Sequence, residues 1–125
     1  ILVRGVEGVV ALCVRGDLTG PMFAVIAGDQ ELDLKACARA SRNKSVEPVA
    51  LKELTPLTGY VRGGVTVLAA KKAFAVVVDE MIEVHDVVSV SAGQRGLQIV
   101  VAPTDYLRAT HATLAPIARA KGGAA

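Results

Sequence analysis

The chain has no tryptophan, and aromatic residues make up only 3% of its 125 positions: Phe23, Phe74, Tyr60 and Tyr106. A surface of stacked aromatics, the usual platform for single-stranded nucleic acid, has almost nothing to be built from. Cysteine is equally scarce. Cys13 and Cys37 are too few for a disulfide framework, so a reducing cytoplasm is the expected compartment. Apolar runs are short, which excludes a transmembrane helix and a membrane role. The opening Ile1-Leu2-Val3 is interrupted by Arg4, Glu7 and Arg15, so no signal peptide is expected. Charge of one sign is also lacking: 14 Lys+Arg against 12 Asp+Glu leave a net charge of +2. That is too mild for broad electrostatic binding of nucleic acid, although a local basic patch is compatible with it. The chain begins at Ile1 rather than at a methionine, from which residues upstream are expected.

What is present is aliphatic. With 52% hydrophobic and 21% charged residues, the chain suits one globular domain whose core is Val, Leu, Ile and Ala. Glycines separate short β-branched runs. Val9–Val14 and Met22–Ala27 read as paired strands around the turn Arg15-Gly16-Asp17. From Leu32 to Arg42 the period changes to that of a helix, with Leu34, Cys37 and Ala38 on one face and Asp33 as its N-cap. Asn43 and Lys44 end it. A weak helix over Leu51–Leu57 is limited by Pro56. Val65–Leu68, Phe74–Val78, Val87–Val90 and Leu97–Val101 read as strands, and a last helix starts at Pro103 and runs to about Ala109. With no linker and no repeat, the expectation is a single mixed α+β domain over residues 1–120 with a curved, barrel-like sheet. Residues 121–125 are expected to form a frayed tail.

Most residues capable of chemistry have a plain structural explanation. Cys13 lies among Leu12 and Val14, and Cys37 on the inward face of a helix, so both read as small buried fillers rather than nucleophiles. His85 and His111 stand in no metal-ligand spacing, and His85-Asp86 marks a turn before a strand. Asp79, Glu80, Glu83 and Asp86 read as a solvated turn, and neither a metal nor a cofactor is expected. Two glycine-dense segments remain, Thr58-Gly59-Tyr60-Val61-Arg62-Gly63-Gly64-Val65 and Ser91-Ala92-Gly93-Gln94-Arg95-Gly96. Each could be a tight turn. Each could equally let a ligand approach the backbone, so that bare N–H groups grip a carbonyl or phosphate.

At these segments the chain resembles the YbaK/EbsC family, relatives of the insertion domain of bacterial prolyl-tRNA synthetases. The resemblance runs through Leu32-Asp33-Leu34-Lys35, Leu57-Thr58-Gly59-Tyr60, Gly63-Gly64-Val65, Lys71-Lys72, and a strand ending in Asp79. It continues in Ser91-Ala92-Gly93-Gln94-Arg95-Gly96-Leu97 and closes at Ala115-Pro116-Ile117-Ala118. It implies trans-editing: hydrolysis of the ester joining a wrong amino acid, cysteine or alanine, to the 3′ end of proline tRNA. It implies no side-chain nucleophile and no metal. Backbone amides of Gly63, Gly64 and Val65 would polarise the ester carbonyl. Thr58, Gly59, Tyr60, Thr66, Gly93, Arg95, Gly96 and Gln98 would line the substrate pocket. Arg62, Lys71 and Lys72, with Arg95 nearby, would meet acceptor-stem phosphates, and a synthetase is a further partner the resemblance suggests.

The chain departs from the family's pattern at several points. The family lysine at the start of the first core strand has no counterpart, since Gly8 stands about where it belongs and no lysine precedes Lys35. A family aspartate is Gln98, a Ser-Pro pair is Thr66-Val67, a glycine is Ala69, and the helical segment before the first strand is not in this sequence. The same residues therefore fit a second reading, an inactive relative that binds tRNA or a synthetase.

Overall fold

A computed structural model describes residues 7–50, 52–53, 74–91 and 98–121. Its elements are β1 (Glu7–Gly16), β2 (Gly20–Ala27), β3 (Gln30–Leu32), α1 (Leu34–Ser41), β4 (Val46–Pro48) and β5 (Ala75–Asp79). They continue with a 3-10 turn (Glu80–Val84), β6 (Val88–Ser91), β7 (Gln98–Val101), α2 (Pro103–Thr110), β8 (Thr113–Ala115) and β9 (Ala118–Ala120). The main sheet has the order β7-β6-β1-β2-β5-β8, with β4 pairing on β1 as well, while β3 and β9 form a small antiparallel pair. Pairing is mixed: β1 runs antiparallel to β2 and β4 but parallel to β6, and β5 is parallel to both β2 and β8. The α+β class holds. Among the described residues the sheet is open, with β7 and β8 at its edges, rather than a closed barrel.

The period-two pattern of β1 assigns its faces. Val9, Ala11 and Cys13 point toward one cluster, which includes Phe23, Val25, Val78 and the α2 residue Tyr106. Val14, with Met22, Ala24, Ile26 and Val77, packs on the other side against Cys37 and Ala38 of α1. Among the described residues, α2 lies on one face of the sheet and α1 on the other. Phe23 and Phe74 meet edge to face at 5.2 Å between ring centres, the one place where the scarce aromatics pair among the described residues.

The hairpin between β1 and β2 pairs Gly16 with Gly20, leaving Asp17-Leu18-Thr19 as its loop. Gly20 has φ +75°, a conformation glycine takes without strain. Asn43 holds this loop. Its Oδ1 accepts from the N–H groups of Leu18 (2.9 Å) and Thr19 (3.0 Å), and its Nδ2 donates to Thr19 Oγ1 and Ser41 Oγ. A Cβ on Gly16 would collide with that amide, so the glycine makes room for the buried asparagine. Asp17 accepts from the N–H groups of Lys44 and Ser45, which holds its carboxyl below the usual range.

The N-cap at Asp33 is as expected, its side chain accepting from Ala36 N–H at 3.1 Å, and Arg42 closes α1 in the left-handed region. Leu32, expected in the helix, belongs instead to β3. Pro103 opens α2 as its first residue. Of the weak helix expected over Leu51–Leu57, Lys52 and Glu53 are helical, and its other residues lie outside the described set, as does the expected strand Val65–Leu68. Lys121 donates to Gly28 O, and residues 122–125 lie outside the described set.

Asp79 corrects one expectation. It is not part of a solvated turn but a buried tie. Its Oδ2 caps the 3-10 turn through Met81 N–H, while Oδ1 accepts from the N–H groups of Ile117 (3.0 Å) and Ala118 (3.1 Å). Burial of this carboxylate is tolerable because three backbone donors replace water. Glu80, Glu83 and Asp86 are exposed as expected.

Candidate functional site

Of the residues singled out from sequence, Gln98 lies within the described set. Thr58, Gly59, Tyr60, Arg62, Gly63, Gly64, Val65, Thr66, Lys71, Lys72, Gly93, Arg95 and Gly96 lie outside it. The strands that carry those segments do locate their roots. One edge of β1 is shared by two strands arriving from opposite ends. β6 runs parallel along the start, pairing Ser89 with Gly8, and β4 runs antiparallel along the end, pairing Pro48 with Val14. Val49 continues β4 by donating to Cys13 O at 3.1 Å. Continuing the β6 register sets Ser91 level with Val10. The ends of β4 and β6 thus face each other across about three residues of β1, or about 10 Å. Residues 92–97 depart from one of these ends. The chain that follows the other end keeps to the opposite, α2 face: Val49 and Phe74, on either side of residues 54–73, pack with Cys13 and Phe23, and Glu53 is held by Arg15 at 3.4 Å.

The sheet face carrying Val14 is open beside this notch. Val10 and Leu12 are 42% and 36% exposed, whereas Val14, farther along the same face, is 1% exposed beneath α1. Register puts Gly8, Val10, Leu12, Ser89, Gln98 and Val100 on this one face. Gln98 is half-buried, and its Oε1 accepts from Ser89 Oγ at 3.0 Å. Gly8, about where the family lysine would stand, lies on this floor beside Ser89. Ser89 was not foreseen. The signal for it was the alternation Val88-Ser89-Val90-Ser91, which turns hydroxyls to one face and valines to the core.

Neither thiol competes for a catalytic role. Burial pushes Cys13 above its ordinary value despite the nearby Arg15 charge, and burial pushes Cys37 up as well. Cys13 faces the α2 side and Cys37 lies on the inward face of α1 over Val14, so neither borders the open floor. His85 follows the 3-10 turn and His111 caps α2 with φ 53°. No three of His, Cys, Asp and Glu converge among the described residues. A cavity of about 300 Å3 lies at the C-terminal ends of β2 and β5, lined by Val9, Val25, Val78, Ile82, Asp29 and His85 among others. Among the described residues no helix is long and apolar enough to cross a membrane.

Comparison with known proteins gives the fold a context. A family model described as an aminoacyl-tRNA editing domain matches residues 3–109. The chain is 47% identical over 102 residues to EbsC of Enterococcus faecalis, named as a candidate Cys-tRNA(Pro)/Cys-tRNA(Cys) deacylase. That match takes in 82% of this chain and 62% of the relative, so the chain spans about three fifths of the relative's length. Among solved structures it resembles the hypothetical protein APE2540, at TM-score 0.84 and 26% identity, over 94% of this chain and 77% of that one. It also shares its fold with a candidate trans-editing enzyme for prolyl-tRNA synthetase, at TM-score 0.80 and 22% identity, over 90% and 70% of the two chains.

Proposed function

Because the chain belongs to the aminoacyl-tRNA editing domain family, we propose that it hydrolyses the ester of a mischarged aminoacyl-tRNA, cysteinyl or alanyl tRNA of the proline type. The observation that carries this reading is the match of an aminoacyl-tRNA editing domain model to residues 3–109, supported by the exposed Val10 and Leu12 on the sheet face beside the β6 end from which residues 92–97 depart. A small amino acid would lie on Val10 and Leu12. The backbone N–H groups of Gly63, Gly64 and Val65 meet the ester carbonyl as negative charge grows on its oxygen. With cysteine as the misattached residue, its own thiol attacks that carbonyl. The S–C bond forms, the ester C–O bond breaks, and the ribose oxygen leaves with a proton, releasing a cyclic thiolactone. Holding thiol and carbonyl together supplies on the order of 7 kcal/mol of the barrier. Thr58, Gly59, Tyr60, Thr66, Gly93, Arg95, Gly96 and Gln98 enclose the aminoacyl end, and Arg62, Lys71 and Lys72 contact acceptor-stem phosphates.

The test is a deacylation panel of cysteinyl-, alanyl- and seryl-tRNA with the purified full chain. Turnover of the cysteinyl or alanyl ester is expected, and Gly64→Val abolishes it with the circular dichroism unchanged. Activity surviving in that variant would remove the oxyanion role of the loop. Charge reversal at both Lys71 and Lys72 lowers tRNA affinity and flattens its log–log salt slope by roughly 1.5; an unaltered slope takes both lysines off the contact surface. Absence of turnover across the whole panel, with tRNA still bound, establishes the second reading, a binding module. The observation favouring that outcome is the lack of any lysine before Lys35, where the family places one.

A further inference from the structure

On the floor described above, one hydroxyl has a single side-chain partner. Ser89 is 0% exposed, and its Oγ donates to Gln98 Oε1 at 3.0 Å. A buried serine hydroxyl needs such a partner, because leaving it unpaired forfeits its hydration without return. A glutamine amide has an acceptor at one end and two donors at the other. With one Oε1 lone pair engaged by Ser89, the hydrogens the amide can offer are the two on Nε2, a neutral donor. Gln98 is the first residue of β7, immediately after the 92–97 segment, and it shares its face with Val10, Leu12 and Val100. None of the residues named on this face carries a formal charge.

We infer that Ser89 is a positioning residue that fixes the Gln98 amide with its donors outward, so that the site grips a neutral oxygen acceptor of the substrate rather than its α-ammonium. Resting on the deacylase reading, this names the recognised atom class: the ester carbonyl or a hydroxyl oxygen of the terminal ribose. A carboxylate at this position would attract the ammonium and tie binding to its protonation, whereas an outward amide donor leaves binding indifferent to it.

The experiment follows KM and kcat for the ester that the full chain hydrolyses, from pH 6 to 9. This range spans the titration of the substrate's amino group, at about 7 to 8. For the wild type, KM stays flat. Ser89→Ala raises KM roughly tenfold with kcat little changed, and this effect disappears in a Gln98→Ala background, which a merely structural serine would not show. Gln98→Glu acquires a KM that is lowest while the ammonium is protonated and climbs as it is lost. A substrate ending in 2′-deoxyadenosine separates the two oxygen sources: an unchanged KM assigns the carbonyl, and a raised KM that Gln98→Ala does not raise further assigns the hydroxyl. The inference is overturned if the wild-type KM follows the ammonium titration, or if Ser89→Ala is equally costly with and without Gln98. Should Ser89→Ala fail to fold, the Gln98→Glu profile decides alone. If no ester is turned over, the activity falls separately, and the same profiles are read from binding of a non-hydrolysable aminoacyl-adenosine amide.

Discussion

Two stretches of one sheet face behave differently although they share a strand. Beneath α1, Val14, Met22, Ala24 and Ile26 are almost wholly withdrawn from water and meet Cys37, Ala38 and Ile117. A few residues back along β1, Val10 and Leu12 carry the same kind of side chain and remain more than a third exposed. The hydrophobic pattern is continuous; what changes is the cover. A strand can therefore belong to the core at one end and to a binding floor at the other, and aliphatic content alone does not separate them.

The contrast can be broken at several points. The largest effect is expected from Met22→Ala, which opens a cavity under α1 and lowers unfolding free energy by about 2–5 kcal/mol in urea, while the preference among aminoacyl esters stays as in the wild type. Asn43→Ala removes the amide that bridges hairpin and helix end, and costs about 2 kcal/mol by the same measurement. Leu12→Ala sits on the open half: its stability loss stays below about 1 kcal/mol, but KM for the aminoacyl substrate rises severalfold. If Leu12→Ala destabilised as much as Met22→Ala and left KM alone, the distinction between core and floor along β1 would be lost.

How far the sequence foretold this follows from length and period. The β1–β2 hairpin and α1 carry whole periods of their patterns, and Asp33 advertises its cap, so these were legible. The strands β3, β4, β8 and β9 are three residues each, too short for any alternation to register; β4 and β8 exist because longer neighbours offer them an edge, and β3 and β9 because each offers one to the other. Asn43 read as a helix stop and proved a hub, because nothing in the chain announces that it meets the loop after Gly16. Asp79 misled for a related reason: surrounded by Glu80, Glu83 and Asp86 it looked wet, and its donors come from residues 38 and 39 positions downstream. Of the candidate site, Gln98 entered through the family resemblance, and Ser89 was missed although the Val-Ser-Val-Ser alternation carries its signal. The meeting of β4 and β6 on one edge of β1 is a long-range fact that no local window contains.

The bond from Asp79 to Ile117 and Ala118 also sets a timetable for synthesis. While the ribosome still holds residues 113–118, β5 can align on β2, yet its terminal carboxylate lacks two of its three donors and β8 has not arrived on its flank. That edge of the sheet is completed only once residues 113–118 have cleared the exit tunnel. A truncation that stops before Ile117 would leave a nascent chain held at that unfinished stage, an easy target for proteases.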